Sequence, residues 1–364
     1  MSRHFSRRQA LARLGSLPAA TLLLRAQRKQ QIIGEPPGRI PPLDELVNSL
    51  EFEPLAQRKL DDAAFNAISG GNRSGFDRIV FRPRLMVNTQ NLDLTTELFG
   101  DALFTPILIG PASHQNRFHP EGELAMARGA SEAQAAMVVA DRSDHPVERI
   151  AAEAGGPLWY QAYPESDAHS LLSRIHKAVE AGCKAVCITV GTPYGQVGSN
   201  GYPRLSALPP MGNPAFDWNY IDRIRRSVTA PLLLKGVMSA EEAKTAVKNG
   251  IKGIVVSNHG GGFVHGLAEP ITVLPEIVDA VGDRVPVLVD GGFRRGSDVL
   301  KALIFGAKAV LISRPALWGL AAYGAEGVRT VVELMQTELA RDLAMVGAVN
   351  PQALSRDFVK ISRR

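Results

Sequence analysis

The sequence predicts an α/β chain, a (β/α)8 TIM barrel preceded by an N-terminal helical extension. Three observations carry that prediction. Short apolar, β-branched runs recur at 106–110, 136–140, 158–163, 185–190, 231–235, 253–257, 285–290 and 309–313. Runs that are apolar throughout read as strands buried on both faces, the condition of a parallel sheet wrapped in helices. Most of them are followed by a segment of helical periodicity, such as 121–135, 170–181, 240–249 and 297–305. The polar and glycine-rich residues then fall at the carboxyl ends of the runs, where a barrel does its chemistry. About eight such units over this span argue for one barrel rather than two doubly wound domains. A Rossmann sheet would need Gly-x-Gly-x-x-Gly after its first strand, and no such turn is there.

Ahead of the barrel, Phe5-Ser6-Arg7-Arg8-Gln9-Ala10-Leu11 leads into a short apolar stretch that contains Pro18. The stretch is too short to span a bilayer comfortably. The paired arginines resemble a twin-arginine export signal, which implies a periplasmic or exported protein and the twin-arginine translocation machinery as a partner. A disordered basic tail on a cytoplasmic protein is the plainer alternative. Residues 33–42 are a Pro/Gly-rich linker, and 43–75 carry helical periodicity that stops at Ser69-Gly70-Gly71. Residues 81–88, with Pro83, read as a connector. The organisation expected is thus an export segment over 1–34, a linker and helical segment over 35–80, and the barrel over 81–364.

Composition sets further limits. A chain of 364 residues with 45% hydrophobic content can bury a large core. The formal charge of +5 suggests a polyanion partner only until it is located. Residues 1–34 hold seven basic residues and no acid, which leaves −2 for the remainder. The body of the protein is therefore no nucleic-acid binder. Cys183 and Cys187 are too far apart to bridge if the segment between them is extended, and no histidine or cysteine spacing suggests zinc. Both read as packed thiols, and no metal is expected.

The stretch Ile254-Val255-Val256-Ser257-Asn258-His259-Gly260-Gly261-Gly262 organises the candidate site. It places His259 where a general base is wanted, on a loop whose backbone can approach a ligand closely. A histidine that only caps a turn is the alternative. Other chemistry-bearing residues follow the same rule. The first barrel strand runs into Pro111-Ala112-Ser113, the third into Gln161 and Tyr163, the fourth into Thr189 and the fifth into Lys235. The seventh ends in Asp290-Gly291-Gly292 with Arg294, and the eighth in Ser313-Arg314. Glycines and arginines after the last two strands are what a barrel phosphate site requires.

These residues carry a resemblance. From Ile68 to Ala348 the chain resembles the FMN-dependent α-hydroxy-acid oxidases and dehydrogenases. The likeness rests on Phe81-Arg82-Pro83-Arg84, His119-Pro120-Glu121-Gly122-Glu123, Thr189 with Thr192-Pro193, Leu234-Lys235-Gly236-Val237, Ser257-Asn258-His259-Gly260-Gly261 and Asp290-Gly291-Gly292-Phe293-Arg294-Arg295-Gly296. It implies FMN as cofactor, with the backbone of Pro111, Ala112 and Ser113 lining the flavin near N5. Gln161, Thr189 and Ser257 would hydrogen-bond the pyrimidine side, and Lys235 would sit by N1 and O2, where a cation stabilises the reduced ring. Asp290, Gly292, Arg294, Ser313 and Arg314 would hold the ribityl chain and phosphate. A serine that the family often carries after the second strand is Ala140 here.

The substrate half departs from the family. The resemblance implies that His259 takes the proton of the substrate hydroxyl as hydride passes to N5, with Tyr163 beside it. The aspartate that pairs with that histidine is Gly191 here, the two arginines that clamp the substrate carboxylate are Gly198 and Gly262, and a tyrosine before Ser69 is Asn66. Asp141-Arg142 replaces a small residue and an aromatic, and His114, Arg117 and His265 are further polar additions. Arg142 is expected to pair with Asp141 or Asp144, and a relocated carboxylate contact is the alternative. His114 and Asn66 are weaker substrate candidates, and His265 reads as a turn histidine. Two functions follow: an FMN-dependent oxidoreductase on a non-standard small-molecule substrate, or a flavin-binding accessory protein that has lost catalysis. An isomerase would want a diphosphate-binding set and a metal carboxylate, and neither is seen. The electron acceptor (oxygen, quinone or carrier protein) and the oligomeric state, a homo-oligomer included, stay open.

Overall fold

The computed structural model describes residues 39–71, 73–165, 167–191, 216–261 and 266–362. The expected export signal and the substitutions at Gly198, Gly262 and His265 lie outside the described residues. The chain divides into two compact units, Met1–Val47 and Asn48–Arg364. The described part of the first unit holds one 3-10 turn, Leu43–Glu45, and an Arg39–Glu45 ion pair at 3.0 Å.

In the second unit eight parallel strands close into a barrel: Ile107–Ile109, Met137–Ala140, Leu158–Ala162, Val186–Thr189, Leu232–Val237, Gly253–Val256, Val287–Asp290 and Ala309–Ile312. Each falls within or beside one of the eight apolar runs. Neighbours in the barrel are neighbours in sequence, and the eighth strand pairs with the first through Val310↔Ile107 and Ile312↔Ile109. The helices Gly122–Glu132, Ala168–Glu180, Ala240–Lys248 and Gly296–Ile304 stand where periodicity expects them. Their ends follow local chemistry: Asp167, Asp217 and Ser239 accept from backbone N–H groups at the starts of their helices. Among the described residues no helix is long and apolar enough to cross a membrane.

Two features escape the sequence pattern. The segment opening at Ile79 is not only a connector: Ile79–Phe81 pairs antiparallel with Val359–Ile361, tying the stretch ahead of the barrel to the end of this unit. A hairpin, Thr96–Leu98 with Asp101–Leu103, precedes the barrel. Its Leu98 and Leu103 join the barrel-filling cluster with Val138, Trp159, Cys187, Leu233, Val255 and Leu288, and Phe99 packs on Trp159 at 5.3 Å between rings. Strands of three residues leave no period to detect. The helical extension is also more broken than its periodicity suggests, with helices Phe52–Lys59, Asp62–Ile68 and Ser74–Asp77.

The barrel core sets the position of the site. Side chains along a strand alternate between faces. Trp159, Cys187, Leu233, Val255, Leu288 and Leu311 all belong to the inner cluster. The next inward positions, two residues on, are Gln161, Thr189, Lys235, Ser257, Asp290 and Ser313. The interior therefore changes from dry to polar within one pleat, at the carboxyl end of the barrel. Cys183 and Cys187 are buried free thiols, and burial pushes both up to about 12.

Candidate active site

That polar layer floors a cavity of about 220 Å3 whose lining includes Pro111, Gln161, Tyr163, Thr189, Lys235 and His259 on one side. Asp290, Gly292, Arg294, Ser313 and Arg314 line the other. Lys235 is 6% exposed, and its ammonium meets Asp290 Oδ2 at 2.8 Å and Ser257 Oγ at 2.9 Å. Gln161 Nε2 donates to Thr189 Oγ1 at 2.8 Å. Asp290 keeps its second oxygen, Oδ1, buried and without a donor. A buried acceptor left in this state awaits a donor from a ligand.

At the other end two guanidinium groups converge. A methyl group built on Gly71 would touch Arg314 and lie 3.3 Å from Arg294 Nη2. Arg294 is 5% exposed, donates to the Gly70 carbonyl at 2.8 Å and lies 4.7 Å over the Trp318 ring. Burial, and then the nearby Arg314, push its guanidinium down to about 10. Burial also lowers Arg314, with Asp290 and Glu53 opposing. The Arg314 guanidinium has no hydrogen-bond or ion-pair partner among the described residues. Arg314 also opens the helix Arg314–Val346, and Ser313 and Leu317 at the start of that helix line the same cavity. A buried and a half-buried cation that repel each other at a helix N-terminus are the electrostatic signature of an anion site.

The helical extension holds this end in place. Ser49 Oγ donates to the Arg294 carbonyl. Asp298, 1% exposed, accepts from the backbone N–H of Arg294 at 2.9 Å and of Arg295 at 3.0 Å. Arg73 meets both Asp298 oxygens at 3.0 Å. Trp318 Nε1 donates to the Ile68 carbonyl at 3.0 Å, and Ala67 and Ile68 complete the cavity wall.

His259 sits just past the sixth barrel strand with a left-handed backbone, φ 55°. Its Nε2 lies 2.8 Å from the Val190 carbonyl, so Nε2 carries the proton and donates. The approach needs Gly236: a Cβ there would collide with the Val190 carbonyl and come within 2.8 Å of His259 Nε2. Burial first, and Lys235 second, push the His259 imidazole down to about 4 against the opposing effects of Asp290 and the Val190 bond. The ring is neutral at pH 7. A neutral ring that donates through Nε2 keeps its basic lone pair on Nδ1.

Not every residue singled out from sequence reaches the cavity wall. Ala112 and Ser113 are half-buried beside it, and the Ala112 carbonyl accepts from Gln115 Nε2 at 3.1 Å. Ser257 acts beneath the wall, through Lys235. Asn66 is exposed on its helix, and the wall there is Ala67 and Ile68, one and two positions on. His114 is exposed and pairs with Asp144 at 3.2 Å. The expected pairing of Arg142 is overturned. Asp141 is taken by Arg174 Nε at 2.7 Å and the Tyr160 hydroxyl at 2.6 Å, and Asp144 by His114 and the Asn116 backbone. Arg142 lies instead over the Tyr163 ring, 5.0 Å from its centroid. The reason is reach: Arg174, on the helix Ala168–Glu180, meets both oxygens of the buried Asp141 carboxylate, through Nε at 2.7 Å and Nη2 at 3.3 Å. No group of three or more potential metal ligands occurs among the described residues.

The donor set suits a flavin mononucleotide: paired cations for a phosphate, an orphaned carboxylate oxygen for ribityl hydroxyls, and Lys235, Gln161 and Thr189 for the polar edge of the ring. The family model for FMN-dependent dehydrogenases matches residues 58–201 and 198–361. The chain belongs to that family. It is an FMN-dependent oxidoreductase acting on CH–OH groups. Relatives include L-lactate oxidase of Nostoc sp., 36% identical over 361 residues, covering 86% of this chain and 98% of that protein. Glycolate oxidase of Spinacia oleracea is 33% identical over 353 residues, covering 86% and 96%. Among solved structures, mandelate oxidase with (S)-2-phenylpropionate superposes with TM-score 0.80 at 35% identity, covering 88% of this chain and all of that one. Flavocytochrome b2 with sulfite bound gives TM-score 0.83 at 30% identity, covering 89% and 88%.

Proposed function

We propose that this chain oxidises the carbinol carbon of a small hydroxylated substrate that differs from the simple 2-hydroxy acids. FMN, when bound, supplies a two-electron acceptor that takes the substrate hydride at N5. His259 receives the hydroxyl proton, Tyr163 flanks the reacting carbon, and Lys235 offsets negative charge on the pyrimidine side of the ring. The observation that carries the reading is the neutral His259, held by the Val190 carbonyl on the wall of the same cavity as Tyr163 and Lys235. A backbone carbonyl thus orients the base where the family places an aspartate, and Gly191 is compatible with that arrangement.

The substrate claim is supported by what the sequence lacks. Gly198 and Gly262 stand where the family carries its carboxylate-clamping arginines. Loss of a buried bidentate contact costs on the order of 2–5 kcal/mol, and loss of the carboxylate behind the base lowers the rate further. Lactate and glycolate should therefore react several powers of ten more slowly than with an ordinary family member. The test is anaerobic mixing of the yellow holoprotein with a panel of alcohols and acids while flavin bleaching is followed. We expect slow bleaching by lactate and glycolate, faster bleaching by another member, and its collapse in His259→Ala. Rapid lactate or glycolate oxidation by the unaltered protein would refute the altered-site reading. We further propose export through the Arg7-Arg8 signal, a reading supported by the sequence of that segment alone.

A further inference from the structure

Arg142 is the cation that the described site leaves unspent. The acids beside it in sequence, Asp141 and Asp144, are both engaged by other partners. Arg142 has no ion pair among the described residues and is exposed. Its position is nevertheless fixed, because its carbonyl accepts from the His114 backbone at 3.1 Å and its guanidinium lies over Tyr163. A cation–π contact uses none of the five N–H donors of a guanidinium in a hydrogen bond to an acid, so they can still bind a carboxylate as a fork. Arg117, the other basic addition singled out from sequence, lies over Phe118, which does not line the cavity.

We propose that Arg142 is the carboxylate contact of the substrate. Tyr163 lines the cavity and Arg142 does not. The carbinol carbon belongs beside His259 and Tyr163 at the edge of the flavin cavity, and a carboxylate held by Arg142 stands beyond the Tyr163 ring that this guanidinium covers. The substrate class is a hydroxy acid whose carboxylate is separated from the carbinol carbon by at least one methylene. This rests on the reading above that His259 takes the proton of the carbinol.

The experiment uses the holoprotein and the series lactate, 3-hydroxybutyrate, 4-hydroxypentanoate and 5-hydroxyhexanoate, with uncharged 2-pentanol as the control. Dissociation constants come from perturbation of the flavin absorption, and bleaching is recorded separately. At least one longer acid should bind more tightly than both lactate and 2-pentanol. Arg142→Gln should weaken that acid about 10- to 100-fold, Arg142→Lys should recover part of the loss, and 2-pentanol should be unaffected. Three outcomes overturn the proposal: no longer acid outbinds lactate, Arg142→Gln changes nothing, or it weakens 2-pentanol equally, which would mark a merely structural role. Binding that follows the expected pattern without bleaching keeps the carboxylate contact and sinks the oxidation reading. Bleaching by uncharged alcohols that is indifferent to Arg142 does the reverse.

Discussion

At the scale of single residues, the site is governed by what burial does to charge. His259 is pushed to about 4 because burial and Lys235 both penalise its imidazolium. Its folded pKa lies below the unfolded value of about 6.5, so the unfolded chain binds the extra proton between those limits. The contribution of His259 to stability is complete above the unfolded pKa and declines as pH falls through that window. The same shift leaves the ring in the form that the proposed role of His259 as base requires. We expect the acid limb of kcat/KM, measured on any acid or alcohol that bleaches the flavin, to fall near pH 4. An acid limb at 6.5 or higher would contradict the assignment of His259 as an orienter-bound neutral base.

At the scale of elements, the arginine-lined end of the cavity depends on a segment outside the barrel. Arg73, at the start of a short helix, reaches across to Asp298 in the first turn of Gly296–Ile304. Asp298 in turn fixes the backbone of Arg294 and Arg295. Removing the carboxylate leaves a buried and a part-buried N–H group without an acceptor and Arg73 without its partner. Asp298→Ala should therefore cost roughly 2–4 kcal/mol in denaturant unfolding. It should also release FMN more readily on dilution, because the Arg294 loop loses its anchor. A variant of unchanged stability and unchanged FMN retention would show that the loop is held by the Gly70 and Ser49 contacts instead.

At the scale of the whole molecule, the barrel separates a dry interior from a polar mouth, and the hairpin 96–103 supplies Leu98, Leu103 and Phe99 to the dry end. The N-terminal 34 residues contribute all of the positive excess. A receptor-read signal should tolerate no conservative exchange of its arginines. Replacing Arg7 and Arg8 together by lysine should leave the protein in the cytoplasm, as measured by fractionation of the expressing cells. Arrival of the double variant in the periplasm would rule out the twin-arginine reading.

The sequence by itself determined the barrel, because eight strands buried on both faces leave uninterrupted β-branched runs that no other arrangement of this length explains as well. It also pointed to Lys235, His259, Asp290, Arg294 and Arg314, because each stands at the carboxyl end of an apolar run or a short turn beyond it, and a pleat of period two carries polarity from the core to the mouth. Other features waited for the tertiary structure. Whether Asp141 meets Arg142 or Arg174 depends on which helix packs over the second and third strands. That the Val190 carbonyl orients His259 depends on two loops meeting over a glycine far away in sequence. Asn66 facing away from the cavity while Ala67 and Ile68 line it depends on the rotation of one short helix. These are matters of through-space approach between distant segments, and no local pattern of residues encodes them.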